Sequence, residues 1–439
     1  MQKEVLSCFR AYDIRGRYPD EINESIAYRI GRAFVLWAKS TSVYVGRDIR
    51  VSSPKLALAL MNGIRDQGAT VIDLGLVSTP MLYLASRKGD ALMVTASHNP
   101  AQYNGIKAAR KGVKLVGEKD LRKIERIVLK NKFPDAARGK LVRKSILKSY
   151  VSHCLSFVRY VTRHKAVLDA GNGMACLTIP KLLEKLPLNA HEMHFQFDGT
   201  FPNHTPNPVL PENIKDCAAE VKRQKANFGV SFDGDMDRVM FVDEHGRVIP
   251  ADIILALLAK YELQEHPKKA VVFDLRVSKS VRNAIFSAGG VPVISRVGHT
   301  FIQNKMRKTS AILGGELSGH FYFKQNNYAE SADIAFIKVL NILSRTGLPL
   351  SELVAPFYQY ERSGELSYTV TDKTKTLKAI QAAFKDGTQS KLDGLTVEYP
   401  DAWFNVRASQ TEPLVRLVIE ASTRERLDEL KRKVTKFLR

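Results

Sequence analysis

The chain of 439 residues contains only four cysteines, at positions 8, 154, 176 and 217. They are too few and too scattered for a disulfide framework or a zinc-ligand spacing, so free thiols in a reducing compartment are expected. Long apolar runs are also missing. The strongest, Ile253-Ile254-Leu255-Ala256-Leu257-Leu258-Ala259, stops at Lys260, far short of the roughly 20 residues that a membrane-spanning helix needs. No basic stretch leading into an apolar one occurs at the N-terminus, so no secretory leader is expected and the reading is a cytoplasmic protein away from membranes. Nucleic-acid-binding motifs and aromatic residues interleaved with basic ones are lacking, which argues against a base-stacking platform.

The composition itself, 44% hydrophobic and 26% charged, belongs to a folded globular protein and excludes wholesale disorder. The formal charge of +22 is uneven. Residues 110–148 carry 14 Lys/Arg against 4 Asp/Glu. Within that stretch Leu121, Ile124, Val128 and Leu129 recur at helical spacing, so the cations fall on a solvated helix face rather than in a nucleic-acid groove. A positive field of this kind still concentrates small anionic substrates.

A weak internal repeat organises the first three quarters of the chain. Val43-Tyr44-Val45-Gly46-Arg47-Asp48, Ala166-Val167-Leu168-Asp169-Ala170-Gly171 and Ala270-Val271-Val272-Phe273-Asp274-Leu275-Arg276 are β-branched runs ending in Asp/Gly/Arg turns. Each precedes an apolar-periodic segment, at 54–67, 178–186 and 278–288, that reads as a helix. Each unit later carries an apolar run that stops at a polar loop: Thr95–Pro100, Asp233–Arg238 and Gly314–His320. Alternating strands and helices predict three α/β domains with mixed, largely parallel sheets, at 1–145, 146–247 and 248–360. Ligands of open α/β sheets gather at the carboxyl ends of strands, so the three loops are expected to meet in one central cleft. Residues 361–439 instead read as strand, helix, three strands and helix, an α+β domain with an antiparallel sheet. The proline-rich stretch 201–208 is expected to be a long loop, because its prolines suit neither a helix interior nor a central strand.

The loops carry the chemistry. Asp233, Asp235 and Asp237 alternate over five residues, and three such carboxylates repel one another unless a hard cation neutralises them. An EF-hand places glycine at the sixth position, where Arg238 stands, and Val239–Val242 reads as a strand, so that rival fails. Ser97 follows the apolar strand Ala91–Val94 in a tight polar turn, where a hydroxyl can act as a nucleophile or phosphate carrier, and the Gly-x-Ser-x-Gly elbow of hydrolases is absent around it. The stretch Arg407–Pro413 offers a guanidinium, hydroxyls, an amide and backbone N–H groups between two strands, an inventory suited to a phosphate dianion. Glu316 and Ser318 can bind vicinal sugar hydroxyls, and His299 and His320 are candidate proton carriers or phosphate partners.

In combination these motifs, from Phe9-Arg10-Ala11-Tyr12-Asp13-Ile14-Arg15-Gly16 to Arg407–Pro413, resemble the α-D-phosphohexomutase superfamily, and within it the bacterial phosphomannomutase/phosphoglucomutase group. The resemblance implies four domains around a cleft, with Ser97 as the phosphoserine and Mg²⁺ held by Ser97, Asp233, Asp235 and Asp237. It implies that Glu316 and Ser318 grip the sugar, while Arg407, Ser409, Gln410 and Thr411 bind the distal phosphate. Tyr12, Arg15, Lys107, Arg238, His299 and His320 match cleft positions, and Arg276 is expected to bind substrate. The implied reaction converts mannose 6-phosphate and mannose 1-phosphate through a hexose 1,6-bisphosphate, which also serves as activator, in a monomer. Glucose preference, glucosamine preference and a sugar phosphatase remain alternatives. Gln410 replaces the usual asparagine, and Arg276 stands where some relatives have lysine. Met236 stands where glycine is usual, so that position is not expected to need a positive φ.

Overall fold

The computed structural model describes residues 6–10, 13–408 and 414–438. The chain forms two compact units, Met1–Ala251 with Ser318–Leu353, and Asp252–Leu317 with Val354–Arg439.

The first unit contains two α/β sheets of the same design. In one, Ser42–Arg47 lies between Thr70–Leu76 and Asp90–Val94, all parallel, and Tyr103–Arg110 then adds antiparallel beside Asp90–Val94. Ile14–Arg17 and Leu141–Arg143 extend its two sides. In the other, His164–Asp169 lies between Leu188–Met193 and Phe228–Phe232, again parallel, and Val239–Asp243 adds antiparallel beside Phe228–Phe232. In the second unit Ala270–Asp274 lies between Val291–Ser295 and Leu313–Gly315, with the same parallel order. The repeat read from the sequence is therefore a repeat of topology. Parallel neighbours cannot be joined by a tight hairpin and need crossover helices, which is why strands and helices alternate. Every residue of Asp90–Val94 and of Phe228–Phe232 is buried, as expected for strands covered on both faces.

Helix Glu24–Ala38 starts where the Asn23 side chain accepts the Ile26 N–H, and it buries one face through Ile26, Ile30, Phe34 and Ala38. It crosses helix Ser53–Asp66 at close range. A methyl group added at Gly63 would stand 2.0 Å from the Tyr28 carbonyl oxygen, so only glycine permits that approach. In helix Glu118–Lys130, Leu121, Ile124 and Val128 point inward, as the spacing predicts. The apolar run at 253–259 belongs to helix Ala251–Glu265 and is buried. No described helix is long and apolar enough to cross a membrane. The four cysteines are free, and Cys8, Cys154 and Cys217 are buried.

The C-terminal sheet has the order Glu361–Thr369, Leu414–Ala421, Ala402–Ala408, Leu395–Glu398, Thr388–Ser390 and is antiparallel throughout. Phe404, Val406, Leu417 and Ile419 pack on Ile380 of helix Lys373–Ala383 and on Leu427 and Leu430 of helix Arg424–Thr435. The edge strand Thr388–Ser390 is unanticipated, because three polar residues carry no hydrophobic alternation. The stretch 201–208 is a loop, as its prolines require.

Candidate active site

In the first unit, strand Asp90–Val94 delivers Thr95, Ala96 and Ser97 to its carboxyl end. Ser97 is 2% exposed and adopts φ +51, a conformation that costs a non-glycine residue free energy and is held by its surroundings. Its N–H donates to Thr95 Oγ1 at 2.9 Å. Its Oγ donates to Asp233 Oδ2 at 2.9 Å and lies 3.1 Å from His98 Nδ1. The polar loop of one sheet thus meets the acidic loop of the other, 136 residues away in sequence.

The acidic loop turns sharply between Phe228–Phe232 and Val239–Asp243. Asp233 Oδ1 accepts the N–H groups of Asp237 (3.1 Å) and Arg238 (3.2 Å), which folds the loop over itself. Met236 sits fully buried at φ +67, so the expectation that this position needs no positive φ is wrong. The turn keeps its left-handed geometry and the methionine tolerates it, with its carbonyl accepting the Ala332 N–H at 3.1 Å. At Gly234 a methyl group would stand 2.5 Å from the Ser97 carbonyl oxygen, so the two loops meet through a bare backbone.

The carboxylates of Asp233, Asp235 and Asp237 place one oxygen each within 4.8 Å of the others, and all three residues are buried. Lys107, on strand Tyr103–Arg110, donates to Asp235 Oδ2 at 2.7 Å and to Asp237 Oδ2 at 2.5 Å. Thr79 Oγ1 donates to Asp235 Oδ2 at 2.7 Å. Asp235 Oδ1 is buried without a hydrogen-bond partner, and Asp237 Oδ1 has a longer ion-pair contact to His320 Nε2 at 3.4 Å. Burial and the charges of Asp237 and Asp235 push the Asp233 carboxyl well up. Burial opposes ionisation of Asp237 too, but Lys107 and His320 outweigh it and hold that carboxyl well down. Three buried carboxylates, with Asp235 Oδ1 unpartnered, form an oxygen-only donor set that fits a hard divalent cation such as Mg²⁺.

Around this centre, Arg15 Nη1 donates to Asn99 Oδ1 at 2.8 Å, and Arg238 Nε donates to His320 Nε2 at 3.2 Å. Ser318 Oγ lies 2.8 Å from His320 Nδ1. The structure therefore gathers Ser97, Arg15, Lys107, Arg238, Ser318, His320 and the three aspartates in one unit.

Two residues at this centre escaped sequence reasoning. His98 lies beside Ser97, and burial with the charges of Arg238 and Arg15 pushes its pKa well down, so it is neutral. Arg50 is fully buried and holds the whole serine loop. Its Nη2 donates to the carbonyls of Ser97 (2.7 Å) and Asn99 (2.6 Å), and its Nη1 to those of Pro100 (2.7 Å) and Tyr103 (3.1 Å). Asp48 Oδ2 accepts from its Nε at 3.2 Å. The Asp48-x-Arg50 pair after strand Ser42–Arg47 was a visible signal, because a charged pair directly behind a buried strand needs a partner.

In the second unit, Arg276 is clamped by Asp274 through Nε (3.0 Å) and Nη2 (2.9 Å) and donates from Nη1 to Glu365 Oε2 at 2.8 Å. Arg407 Nη2 and Arg416 Nη1 reach Glu365 Oε1 at 3.0 and 3.3 Å. Three guanidinium groups thus converge on the carboxylates of Asp274 and Glu365. Burial works against the Glu365 carboxylate, but Arg276, Arg407 and Arg416 hold its pKa down to about 2. Glu316 Oε2 accepts the Gly298 N–H at 3.0 Å, just before His299 opens helix His299–Thr309. Arg276 and Arg407 thus share one carboxylate, with Glu316 on a loop and His299 at a helix start of the same unit. Tyr12, Ser409, Gln410 and Thr411 lie outside the described residues.

Comparison with known proteins agrees with this architecture. Models of phosphoglucomutase/phosphomannomutase alpha/beta/alpha domains I, II and III match residues 7–135, 148–246 and 250–360, and the model of the family's C-terminal domain matches 365–437. A phosphomannomutase of Salmonella montevideo is 38% identical over 433 residues, covering 95% of each chain. A phosphomannomutase/phosphoglucomutase of Pseudomonas aeruginosa is 38% identical over 436 residues, covering 97% of this chain and 94% of its own. The crystal structure of a phosphoglucomutase/phosphomannomutase family protein from Burkholderia thailandensis superposes with a TM-score of 0.91 at 32% identity, covering 98% of this chain and 97% of that one. The chain belongs to the phosphoglucomutase/phosphomannomutase family of the α-D-phosphohexomutase superfamily and is an enzyme of the isomerase class.

Proposed function

We propose that the enzyme interconverts mannose 6-phosphate and mannose 1-phosphate, with Ser97 as the phosphoryl carrier. The observation that carries this reading is the Ser97 Oγ bonded to Asp233 beside the buried carboxylates of Asp235 and Asp237, with Asp235 Oδ1 unpartnered. A carrier hydroxyl and a cation site are thereby adjacent in a buried setting, as phosphoryl transfer requires. Ser97, Asp233, Asp235 and Asp237 would hold Mg²⁺, which supplies charge neutralisation on the transferring group. Lys107 and Arg238 add fixed positive charge there, and Arg15 steadies the serine loop through Asn99.

Phosphoserine 97 gives its phosphoryl group to the free hydroxyl of the hexose monophosphate, forming the 1,6-bisphosphate. The P–O bond to Ser97 breaks as the bond to the sugar oxygen forms, and the proton of the sugar hydroxyl ends on the Ser97 oxygen. The bisphosphate reorients and returns its other phosphoryl group to Ser97. Added hexose 1,6-bisphosphate would prime unphosphorylated enzyme by the same chemistry. His299 and His320 serve as proton carriers or phosphate partners, and Glu316 and Ser318 bind sugar hydroxyls. Arg276 and Arg407, with Tyr12, Ser409, Gln410 and Thr411, bind the substrate and its distal phosphate. The convergence of Arg276 and Arg407 on Glu365 supports that assignment, because paired guanidinium groups suit a phosphate dianion.

A dual mannose and glucose specificity is the second reading, favoured by the doubly named Pseudomonas aeruginosa relative. Values of kcat/KM for mannose 1-phosphate, glucose 1-phosphate and glucosamine 1-phosphate decide between them. Intact-mass analysis should reveal a species ~80 Da heavier, the mass of one phosphoryl group, that is lost in Ser97→Ala. Release of inorganic phosphate in place of isomer, or a phosphoryl group on another residue of active enzyme, would overturn the reading. We also read the enzyme as a monomer, which sedimentation tests directly.

A further inference from the structure

Outside the aspartate triad, a second group of metal-competent side chains is assembled by the fold. Asp169 ends strand His164–Asp169 and its side chain is 1% exposed. His194 follows the neighbouring parallel strand Leu188–Met193, and His204 comes from the proline-rich loop. His194 Nδ1 lies 2.9 Å from Asp169 Oδ1, and His204 Nε2 lies 2.9 Å from Asp169 Oδ2. One ligand atom from each residue falls within 4.8 Å of the other two. We infer that Asp169, His194 and His204 form a second divalent-cation site, selective for a borderline-soft ion of the zinc type over Mg²⁺.

Two imidazoles and one carboxylate are zinc ligands, whereas Mg²⁺ requires oxygens and keeps most of its water. The surroundings orient the ligands as such sites demand. His204 Nδ1 lies 2.9 Å from the Thr205 carbonyl oxygen and donates its proton there, so Nε2 is the nitrogen turned to the cluster, and the proton it shares with Asp169 is given up when the ion binds. Asp169 is held by the Gly171 N–H at 3.0 Å on Oδ1 and by Ser231 Oγ at 3.3 Å on Oδ2. Tetrahedral coordination with bonds near 2.0–2.1 Å separates ligand atoms by about 3.3 Å, so the observed 2.9 Å contacts need to open by only a few tenths of an ångström. Entry is available past His194, whose side chain is 19% exposed against 7% for His204. The site is coupled to the acidic loop through the backbone and through Ser231, two residues before Asp233. The loop carrying His204 also presents the Pro206 carbonyl, which accepts the Gly234 N–H at 3.2 Å. A bound ion would cross-link that loop to the sheet and stiffen the support beneath Asp233 and Asp235.

The test is zinc binding to chelator-treated enzyme in saturating Mg²⁺, read by metal analysis after desalting and by calorimetry. About one equivalent of Zn²⁺ per chain should be retained, and Co²⁺ in its place should show the visible bands of a tetrahedral nitrogen-ligated ion. His194→Gln and His204→Gln should each weaken zinc binding at least about tenfold, with Mg²⁺-supported activity of His194→Gln unchanged. Asp235→Asn should keep the zinc equivalent, which separates this site from the triad. Zinc retention that survives His194→Gln and His204→Gln, or no retention in the native enzyme, would show that the cluster is only a histidine–carboxylate brace.

Discussion

Arg50 offers the most direct test of how the active centre is held. Its guanidinium makes four hydrogen bonds to main-chain carbonyls between residues 97 and 103 and pairs with Asp48. It touches no group assigned to the reaction, so it is a positioning residue. Arg50→Ala removes the donors from those carbonyls and leaves Asp48 buried beside Ser53, whose hydroxyl donates to it at 2.5 Å. Breaking a buried ion pair by deleting one partner costs about 3–5 kcal/mol. Four charge-assisted bonds at about 1.5–3 kcal/mol each would sum to more, but they share one group and are not additive. That free energy, with the bonds from Ser97 to Thr95 and Asp233, offsets the cost of φ +51 at Ser97. Once it is lost, the loop relaxes, and a displacement of about 1 Å at the reacting atom lowers turnover about 100-fold. The chain has two compact units, so one global unfolding free energy is a poor readout. The suitable assays are kcat at saturating substrate and activator, and hydrogen exchange of peptides covering 97–103. We expect kcat to fall about 100-fold, exchange in that peptide to accelerate, and KM to move little. Arg50→Lys should rescue only partly, because an ammonium cannot reach four carbonyls from one side of the loop. Wild-type kcat and exchange in both variants would refute the argument.

Gly234→Ala should depress kcat without affecting the C-terminal sheet, since its methyl would stand 2.5 Å from the Ser97 carbonyl oxygen; full activity would mean that the two loops separate freely. Arg407→Ala should lower kcat/KM by roughly 10- to 150-fold, the equivalent of about 1.5–3 kcal/mol for a lost charge-assisted contact to the distal phosphate. Equal kinetics toward 1- and 6-phosphates at the native level would refute a phosphate role for that loop. Asp333 is pushed up by burial to about 6, against the bonds from Tyr150 and Thr178, so its charge costs the folded state about 3 kcal/mol above pH 6. That cost shrinks as the carboxyl takes up a proton between pH 6 and its ordinary 3.8. Asp333→Asn should therefore raise the melting temperature most at pH 8 and least near pH 4, and a difference independent of pH would contradict the burial argument.

What the sequence determined alone is local and periodic. Strand–helix alternation, the apolar faces at Leu121, Ile124 and Val128, and the antiparallel C-terminal run all follow from side-chain period and turn chemistry, which the chain carries wherever it folds. The acidic loop was legible for the same reason, because Asp233, Asp235 and Asp237 are neighbours in sequence. Tertiary structure decided what depends on distant segments. Ser97 finds Asp233 across 136 residues, and Arg50 binds Ser97 across 47, distances over which no residue pattern reports a contact. Asp169, His194 and His204 lack any metal-ligand spacing and meet only because two parallel strands and a proline-rich loop converge. Met236 shows the same limit at short range. Its identity suggested an ordinary backbone, yet the loop bonds to Asp233 and the buried seat of its side chain impose φ +67. A side chain states what it prefers, and the summed contacts of the fold decide whether that preference is overruled.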